Sequence, residues 1–311
     1  MFGNRERAGT RAISDIVPEL ARRFLIAPEP PSRLPTVREL AGEHQSSIAS
    51  IHGAIGRLQE TGAIDVAARG RLGAYLIGRS VGPLWAAAER GPLVISLPLA
   101  SSPRYEALAT AIKQLLIGAG IEVFLIFVRG SRQRLQAVRE GRCHLAAMSS
   151  FAATELCGSD DEVVLELPPY SYNTGHRVFY SSAHPDPHPL RVIVDPHSAD
   201  QQLLTALEFT DPDVELVLAM GVQIVRLLES AQADAAVWTV DEMQVRRPAA
   251  ILDRPLRPAV RRRIGNRDTR AVLVGRSVDA AILRAVTAPI DGAEVMRVEL
   301  DVMEGRVVPE Y

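Results

Sequence analysis

The chain has 311 residues, 47% hydrophobic and 23% charged, which is ample for two domains and ordinary for a globular protein. Only 5% is aromatic, which argues against a stacking platform for single strands. No run of eighteen apolar residues and no leader pattern occurs, so a cytoplasmic protein is expected. Charge is uneven: residues 1–80 hold 11 Arg, no Lys and 8 acidic residues (net +3), and the remainder holds 24 basic against 29 acidic (net −5). A mildly basic head on an acidic body suits a nucleic-acid reader joined to another module.

Residues 8–25 place Ile13, Ile16, Val17, Leu20, Ala21, Phe24 and Leu25 at helical spacing, with Pro18 expected to kink that helix or start a second segment. A Pro-rich connector covers 27–32. Residues 34–76 then read as a winged helix-turn-helix. Thr36 begins a short helix carrying Val37, Leu40 and Ala41. After a polar break at 42–47, a second helix carries Ile48, Ile51, Ile55 and Leu58 on one face and stops at Thr61-Gly62. Two short strands, 64–68 and 74–77, flank the turn Arg69-Gly70-Arg71-Leu72-Gly73. Such a helix enters a major groove while the hairpin meets the neighbouring backbone. The expected DNA contacts are Ser47, Ser50 and His52 at the groove and Arg38, Arg69 and Arg71 on phosphates or in the minor groove, with Thr36 and Arg57 beside them.

The spacing of Leu34-Pro35-Thr36, Arg38-Glu39-Leu40-Ala41, Leu58, Gly62-Ala63-Ile64 and the hairpin glycines resembles the DNA-binding domain of GntR-type bacterial repressors. The outward face of the second helix departs from that pattern. It offers Ala49, Ser50, His52, Gly53 and Gly56, with Arg57 further on, and each internal glycine costs roughly 1 kcal/mol relative to Ala. The head is placed at 1–80, a linker at 81–91 and the second domain at 92–311.

From residue 93 the pattern alternates. Strands are predicted at 93–97, 121–128 and 143–148, separated by helices at 102–119 and 131–140. The same unit recurs with strands at 190–194, 214–219 and 234–238 and helices at 199–209 and 222–230. A strand at 271–274 and a helix through 279–286 follow. Largely apolar strands separated by helices predict parallel sheets covered on both faces. Two such halves, with the loop Pro185–Pro189 between them, imply an α/β class chain. The expected architecture is an N-terminal winged helix-turn-helix followed by a bilobed periplasmic-binding-protein-like (type II) domain of two doubly wound lobes. In such sheets a ligand lies beyond the carboxyl ends of the strands. Those ends supply Ser101, Ser102, Arg129, Gly130, Ser131, Ser149, Ser150, Ser198, Asp200 and Trp238, to which Tyr105 and Tyr172 are added. Several are Ser or Gly just before a helix, where free N–H groups and the helix dipole favour an anion.

The chain also resembles the YhfZ-type transcription regulators over nearly its whole length. The matching stretches include SSI and RGRLGAYL in the head, LPL with Arg104-Tyr105-Glu106, and Arg129-Gly130. They continue with Leu165-Glu166-Leu167, Tyr172, Gly175, Ser198-Ala199-Asp200-Gln201, Val237-Trp238 and Tyr311. The resemblance implies a winged helix with a ligand-binding-like C-terminal domain.

Other chemistry is thinly represented. Lys113, the single lysine, lies in mid-helix, against a pyridoxal-phosphate Schiff base. Cys143 and Cys157 form no CxxC and read as reduced thiols. His184 and His188 fall in HPDPHP, which cannot be helical and reads as a loop rather than a metal site. No GxSxG, HExxH or Walker loop occurs, and His144, His176 and His197 show no partner in sequence. The expectation is therefore a non-enzymatic regulator without cofactor or metal. It would bind operator DNA as a homodimer and sense a small, anionic metabolite between two lobes. The alternatives are a metabolite-processing enzyme with a fused winged-helix module, or an interaction protein that has lost DNA binding.

Overall fold

The computed structural model describes residues 11–182, 188–245 and 247–311; His184 and most of the loop Pro185–Pro189 thus lie outside the described residues. The chain divides into two compact units. The first is the chain up to Leu93 with Leu116–Glu122 and Arg284–Pro289, and the second holds the rest.

In the first unit, α1 (Ile13–Leu25) buries Ile16, Leu20, Ala21, Phe24 and Leu25. Pro18 lies inside α1 without ending it. A two-residue strand β1 (Ser32–Arg33) precedes α2 (Val37–Glu43) and α3 (Ile48–Glu60). Both helices begin on side-chain caps. Thr36 accepts from the Glu39 amide while Glu39 reaches back to the Thr36 amide, and Ser47 accepts from the Ser50 amide; such caps contribute about 1 kcal/mol each. The Glu19 carboxylate joins α1 to the end of α2: Arg11 donates to it at 2.5 Å and the His44 ring lies 2.7 Å away. The Arg11 and His44 hydrogen bonds hold Glu19 down at about 2.

The face that α3 buries is Ser50, Ile51, Ala54 and Leu58. Ile48, expected in the apolar stripe, is instead 47% exposed. Gly53, expected on the outward face, is turned to α1: an added Cβ would lie 2.6 Å from Ile13 Cδ1. Beyond α3, β2 (Ile64–Ala68) and β3 (Ala74–Arg79) form an antiparallel hairpin, with β1 on the far side of β3. The turn between them is a single 3-10 turn at Gly70–Leu72. The segment expected as a linker, 81–91, contains the helix α4 (Val81–Ala87), whose Leu84 and Trp85 are buried. The Trp85 indole N–H donates to the Gly91 carbonyl at 2.8 Å. Apolar residues at helical spacing explain why this stretch folds onto α1 rather than spanning a gap.

The second unit has two lobes, each built on one five-stranded sheet. The first lobe begins with β4 (Leu93–Leu97), α5 (Pro103–Gly118), β5 (Val123–Phe127), α6 (Ser131–Arg139), β6 (Leu145–Ser149), α7 (Ser150–Leu156) and β7 (Asp161–Glu166). The second lobe follows as β8 (His176–Ser181), β9 (Leu190–Val194), α8 (Ala199–Glu208), β10 (Val214–Leu218), α9 (Ile224–Glu229), β11 (Ala235–Thr239), α10 (Val240–Gln244), β12 (Ile251–Pro255) and α11 (Pro258–Ile264). The chain then returns to the first lobe with β13 (Ala271–Arg276), α12 (Ala280–Thr287) and α13 (Gly292–Met303). Strand orders are β5-β4-β6-β13-β7 and β10-β9-β11-β8-β12. In the second sheet, Val178, Val192 and Val237 pack in one core cluster, while their neighbours Phe179, Ile193 and Ala236 pack in another. The two-residue alternation of a strand thus buries both faces.

The sheets differ from the expectation in two ways. They are mixed rather than wholly parallel. β13 runs antiparallel to β6 and β7, and β8 runs antiparallel to β11 and β12. The change of lobe also does not occur at Pro185–Pro189, whose described residues His188 and Pro189 directly precede β9 inside the second lobe. The chain crosses at 167–175 and again at 265–270. The predicted strand at 271–274 therefore belongs to the first sheet, not the second. Among the described residues no helix is long and apolar enough to cross a membrane.

Candidate functional site

The carboxyl ends of β4, β5, β9 and β11 converge on a cavity of about 540 Å³ between the two lobes of the second unit. Nine of the twelve expected ligand residues line it. The first lobe contributes Ser101, Tyr105, Arg129, Gly130 and Ser131; Tyr172 comes from a crossing segment; and the second lobe gives Ser198, Asp200 and Trp238. Ser102, Ser149 and Ser150 do not line it. The Ser102 side chain is buried and accepts from the Tyr105 amide at 3.4 Å. Ser149 is fully buried, and its hydroxyl caps α7 through the Ala152 amide while donating to Asp200 Oδ1 at 2.6 Å. The Ser150 amide donates to the Arg270 carbonyl. All three lie at strand ends, but the hydroxyls of Ser102 and Ser149 are bonded within the wall.

The lobes are joined across the cleft at several points. The Ser149–Asp200 bond is one; Ser101 donates to Glu242, and Arg104 Nε donates to Asp241 Oδ1 at 3.2 Å. The backbones also approach closely at Gly130, φ +80°, where a Cβ would lie 2.2 Å from the His197 carbonyl oxygen. Only glycine gives that approach and that backbone conformation together.

Residues not singled out from sequence carry much of the polar network. Arg134, 3% exposed, spends its guanidinium on the Ala147 and Val128 carbonyls at 2.7 and 2.8 Å and on the Tyr172 hydroxyl at 3.0 Å. It thereby brings a positive charge to the cavity without pairing to a carboxylate. Asp195 anchors the turn before α8, accepting from the amides of His197 at 2.9 Å and Gly221 at 2.7 Å. Gly221 in turn lies against the Trp238 ring, 2.3 Å from the place a Cβ would take. Glu242 accepts from Ser101 and, at 2.9 Å, from Thr239.

His176 does have a partner, which the sequence hid. Its Nδ1 lies 3.0 Å from Asp268, and Arg261 donates to the other Asp268 oxygen at 2.9 Å. Burial pulls the His176 imidazole down, but the hydrogen bond and charge of Asp268 outweigh it and the net shift is upward. Burial pushes Asp268 up, and His176 and Arg261 more than reverse it. Burial raises Asp200 and Glu242 above the usual carboxylate range, and pushes the Tyr172 hydroxyl up to about 12. No cluster of three His, Cys, Asp or Glu fit for a metal ion is found among the described residues.

In the first unit the expected DNA contacts separate into two kinds. Arg38, Arg57 and Arg71 are exposed and have no ion-pair or hydrogen-bond partner among the described residues, and His52 is likewise exposed. Arg69 is exposed too, its guanidinium 4.7 Å over the Tyr75 ring. Thr36 and Ser47 are caps whose hydroxyls serve their own helices. Ser50 departs from the expectation: it is buried, with its hydroxyl 2.9 Å from that of Ser47.

Two mixed α/β lobes around a polar cavity define a periplasmic-binding-protein-like body. The same fold occurs in the amino acid ABC transporter substrate-binding protein AbpA from Streptococcus pneumoniae, solved with L-arginine. That protein is 17% identical, with a TM-score of 0.50 over 73% of this chain and 100% of that one. More specifically, residues 81–311 match the YhfZ C-terminal domain model, and the chain belongs to that family. It is 27% identical to YhfZ of Escherichia coli (strain K12) over 295 residues, 93% of this chain and 94% of that one. The crystal structure of YhfZ from Shigella flexneri superposes with a TM-score of 0.61 at 25% identity, covering 74% of this chain and 98% of that one.

Proposed function

We propose that the chain is a ligand-responsive transcription regulator, acting in the cytoplasm as a homodimer. In this reading residues 32–79 are a winged helix-turn-helix of GntR type. Helix α3 lies in the major groove, and the β2–β3 hairpin lies on the adjacent backbone. Arg38, Arg57 and Arg71 meet phosphates, and His52 reaches the groove. The body senses a small metabolite bearing an anionic group. The observation that carries the reading is a cavity of about 540 Å³ bridged by lobe-to-lobe bonds, in one chain with a capped helix pair and hairpin that leave the side chains of Arg38, Arg57 and Arg71 unpaired. The unpaired Arg129 and the buried Arg134 favour an anionic ligand group.

The same reading makes the chain a sensor and not an enzyme. His176 is the candidate base, held at Nδ1 by Asp268, but no hydroxyl or thiol is hydrogen-bonded to its ring among the described residues. The Ser101 hydroxyl, which lines the same cavity, is bound to Glu242.

The test is an anisotropy titration of the full chain against duplex DNA from upstream of its own gene, at two salt concentrations. Specific binding that weakens with salt is expected. The Arg38→Ala/Arg71→Ala double variant should lower affinity at least about tenfold and reduce the salt slope by about 2, with an unchanged melting temperature. Equal affinity for the operator and for random duplex would defeat the proposal.

A further inference from the structure

The cavity read above as an effector site leaves groups of both signs without an ion-pair partner, and the inference rests on that reading. Arg129 lines the cavity yet has no hydrogen bond or ion pair among the described residues. Beside it, α6 starts on Gly130, which offers no side-chain cap to the first amides of the helix.

The acidic side likewise lacks direct ion pairs. Asp200 is 7% exposed and lines the cavity. Its Oδ1 is taken by Ser149 at 2.6 Å, and its Oδ2 has no partner among the described residues. Glu242 is bound only by hydroxyls. The cations of the cavity act on them only through space, His176 and Arg134 on Asp200 and His176 and Arg129 on Glu242, and burial outweighs that attraction. Neither carboxylate has an ion-pair partner, since Arg134 is bonded to carbonyls and Tyr172, and His176 to Asp268. A buried carboxylate without a counter-charge is costly, and a ligand cation placed there recovers that cost on binding.

We propose that the cavity binds a small zwitterion. Its oxyanion lies against Arg129 and the amides that open α6, and its protonated amine donates to Asp200 Oδ2. An uncapped helix start and a free guanidinium form the anion end. The free oxygen of a nearly buried carboxylate forms the cation end, and the rings of Tyr105 and Tyr172 line the same cavity. A plain dianion satisfies only the first end and adds repulsion at the second.

Isothermal titration of the full chain decides it, with 4-aminobutyrate and L-lysine as zwitterions, glutarate as the dianion and 1,5-diaminopentane as the dication. At least one zwitterion should bind at least about tenfold more tightly than either control. Asp200→Asn, which retains the Ser149 bond, and Arg129→Gln, which breaks no bond, should each weaken it about 10- to 100-fold. Glutarate binding as tightly as the zwitterions, zwitterion binding indifferent to both substitutions, or no binding by any probe overturns the inference. Tight glutarate binding would leave the sensor reading standing. Zwitterion binding without any change in operator affinity would remove the regulatory switch and leave this inference standing.

Discussion

The arginines of the head and those of the cavity are used in opposite ways. In the head, Arg38, Arg57 and Arg71 are exposed and unpaired, and the short polar residues Thr36, Ser47 and Ser50 are occupied with helix caps. In the cavity, Arg134 is almost wholly buried and every arm of it is bonded, while Arg129 and the exposed Arg226 are left without a side-chain partner among the described residues. A surface for a polyanion can keep its cations in water at little cost, since phosphates exchange with counterions on contact. A cleft that excludes water must satisfy its charges internally. The few groups it leaves unsatisfied therefore say more about a ligand than its general polarity does.

Four substitutions would break or sharpen this contrast. Gly130→Ala should have the largest effect. It forces a Cβ to within 2.2 Å of the His197 carbonyl at a φ of +80°, adding about 1–2 kcal/mol of backbone strain to the clash. Amides at 131–135 and 198–202 should exchange with deuterium at least about tenfold faster as the lobes part; unchanged protection would show that the approach is not needed for closure.

Glu299→Gln comes next. Burial raises the Glu299 carboxyl from the usual 4.5 to about 8. The folded chain then holds a proton that the unfolded chain has released, so stability falls as pH rises between those values. The variant should melt with the wild type at pH 5 and several degrees above it at pH 8.5, in scanning calorimetry. The reverse order at pH 8.5 would contradict the burial argument.

The smallest effect separates two neighbours on α3. Ser50→Ala should leave operator affinity within about twofold, whereas His52→Ala should weaken it about 3- to 10-fold, one ordinary hydrogen bond. Equal effects would mean that Ser50 reaches the DNA after all.

Much of the order of elements is legible in the sequence, because caps and apolar periods are local signals. Thr36 with Glu39 and Ser47 announce α2 and α3, and the predicted helix 131–140 lies within a residue or so of α6. The strands β7, β8 and β12 were not legible. Their sequences DEVVLE, HRVFYS and ILDRP mix charge with apolar residues, so they lack the continuous apolar run by which the other strands are recognised. Missing β8 displaced the lobe boundary to the proline-rich loop. At the cavity, strand-end reasoning found Arg129, Gly130 and Ser198 but could not say which serines face inward. Ser149 and Ser198 both cap a helix after a strand, and only Ser198 lines the cavity. Arg134 escaped notice because its partners are backbone carbonyls 6 and 13 residues away, contacts that no side-chain pattern records.

The two glycines of α3 have different standing, and this gives the head a usable freedom. Gly53 is covered by Ile13, whereas nothing lies within 4 Å of the Cβ position at Gly56. A side chain installed at 56 would recover about 1 kcal/mol of helix propensity without disturbing the packing against α1. Together with 49 and 52 it forms an i, i+3, i+7 row on one side of the helix, open to residues chosen at will. On the proposed reading of the head as a DNA reader, a new sequence would be addressed through these three positions, with the side chain at 56 adding stability.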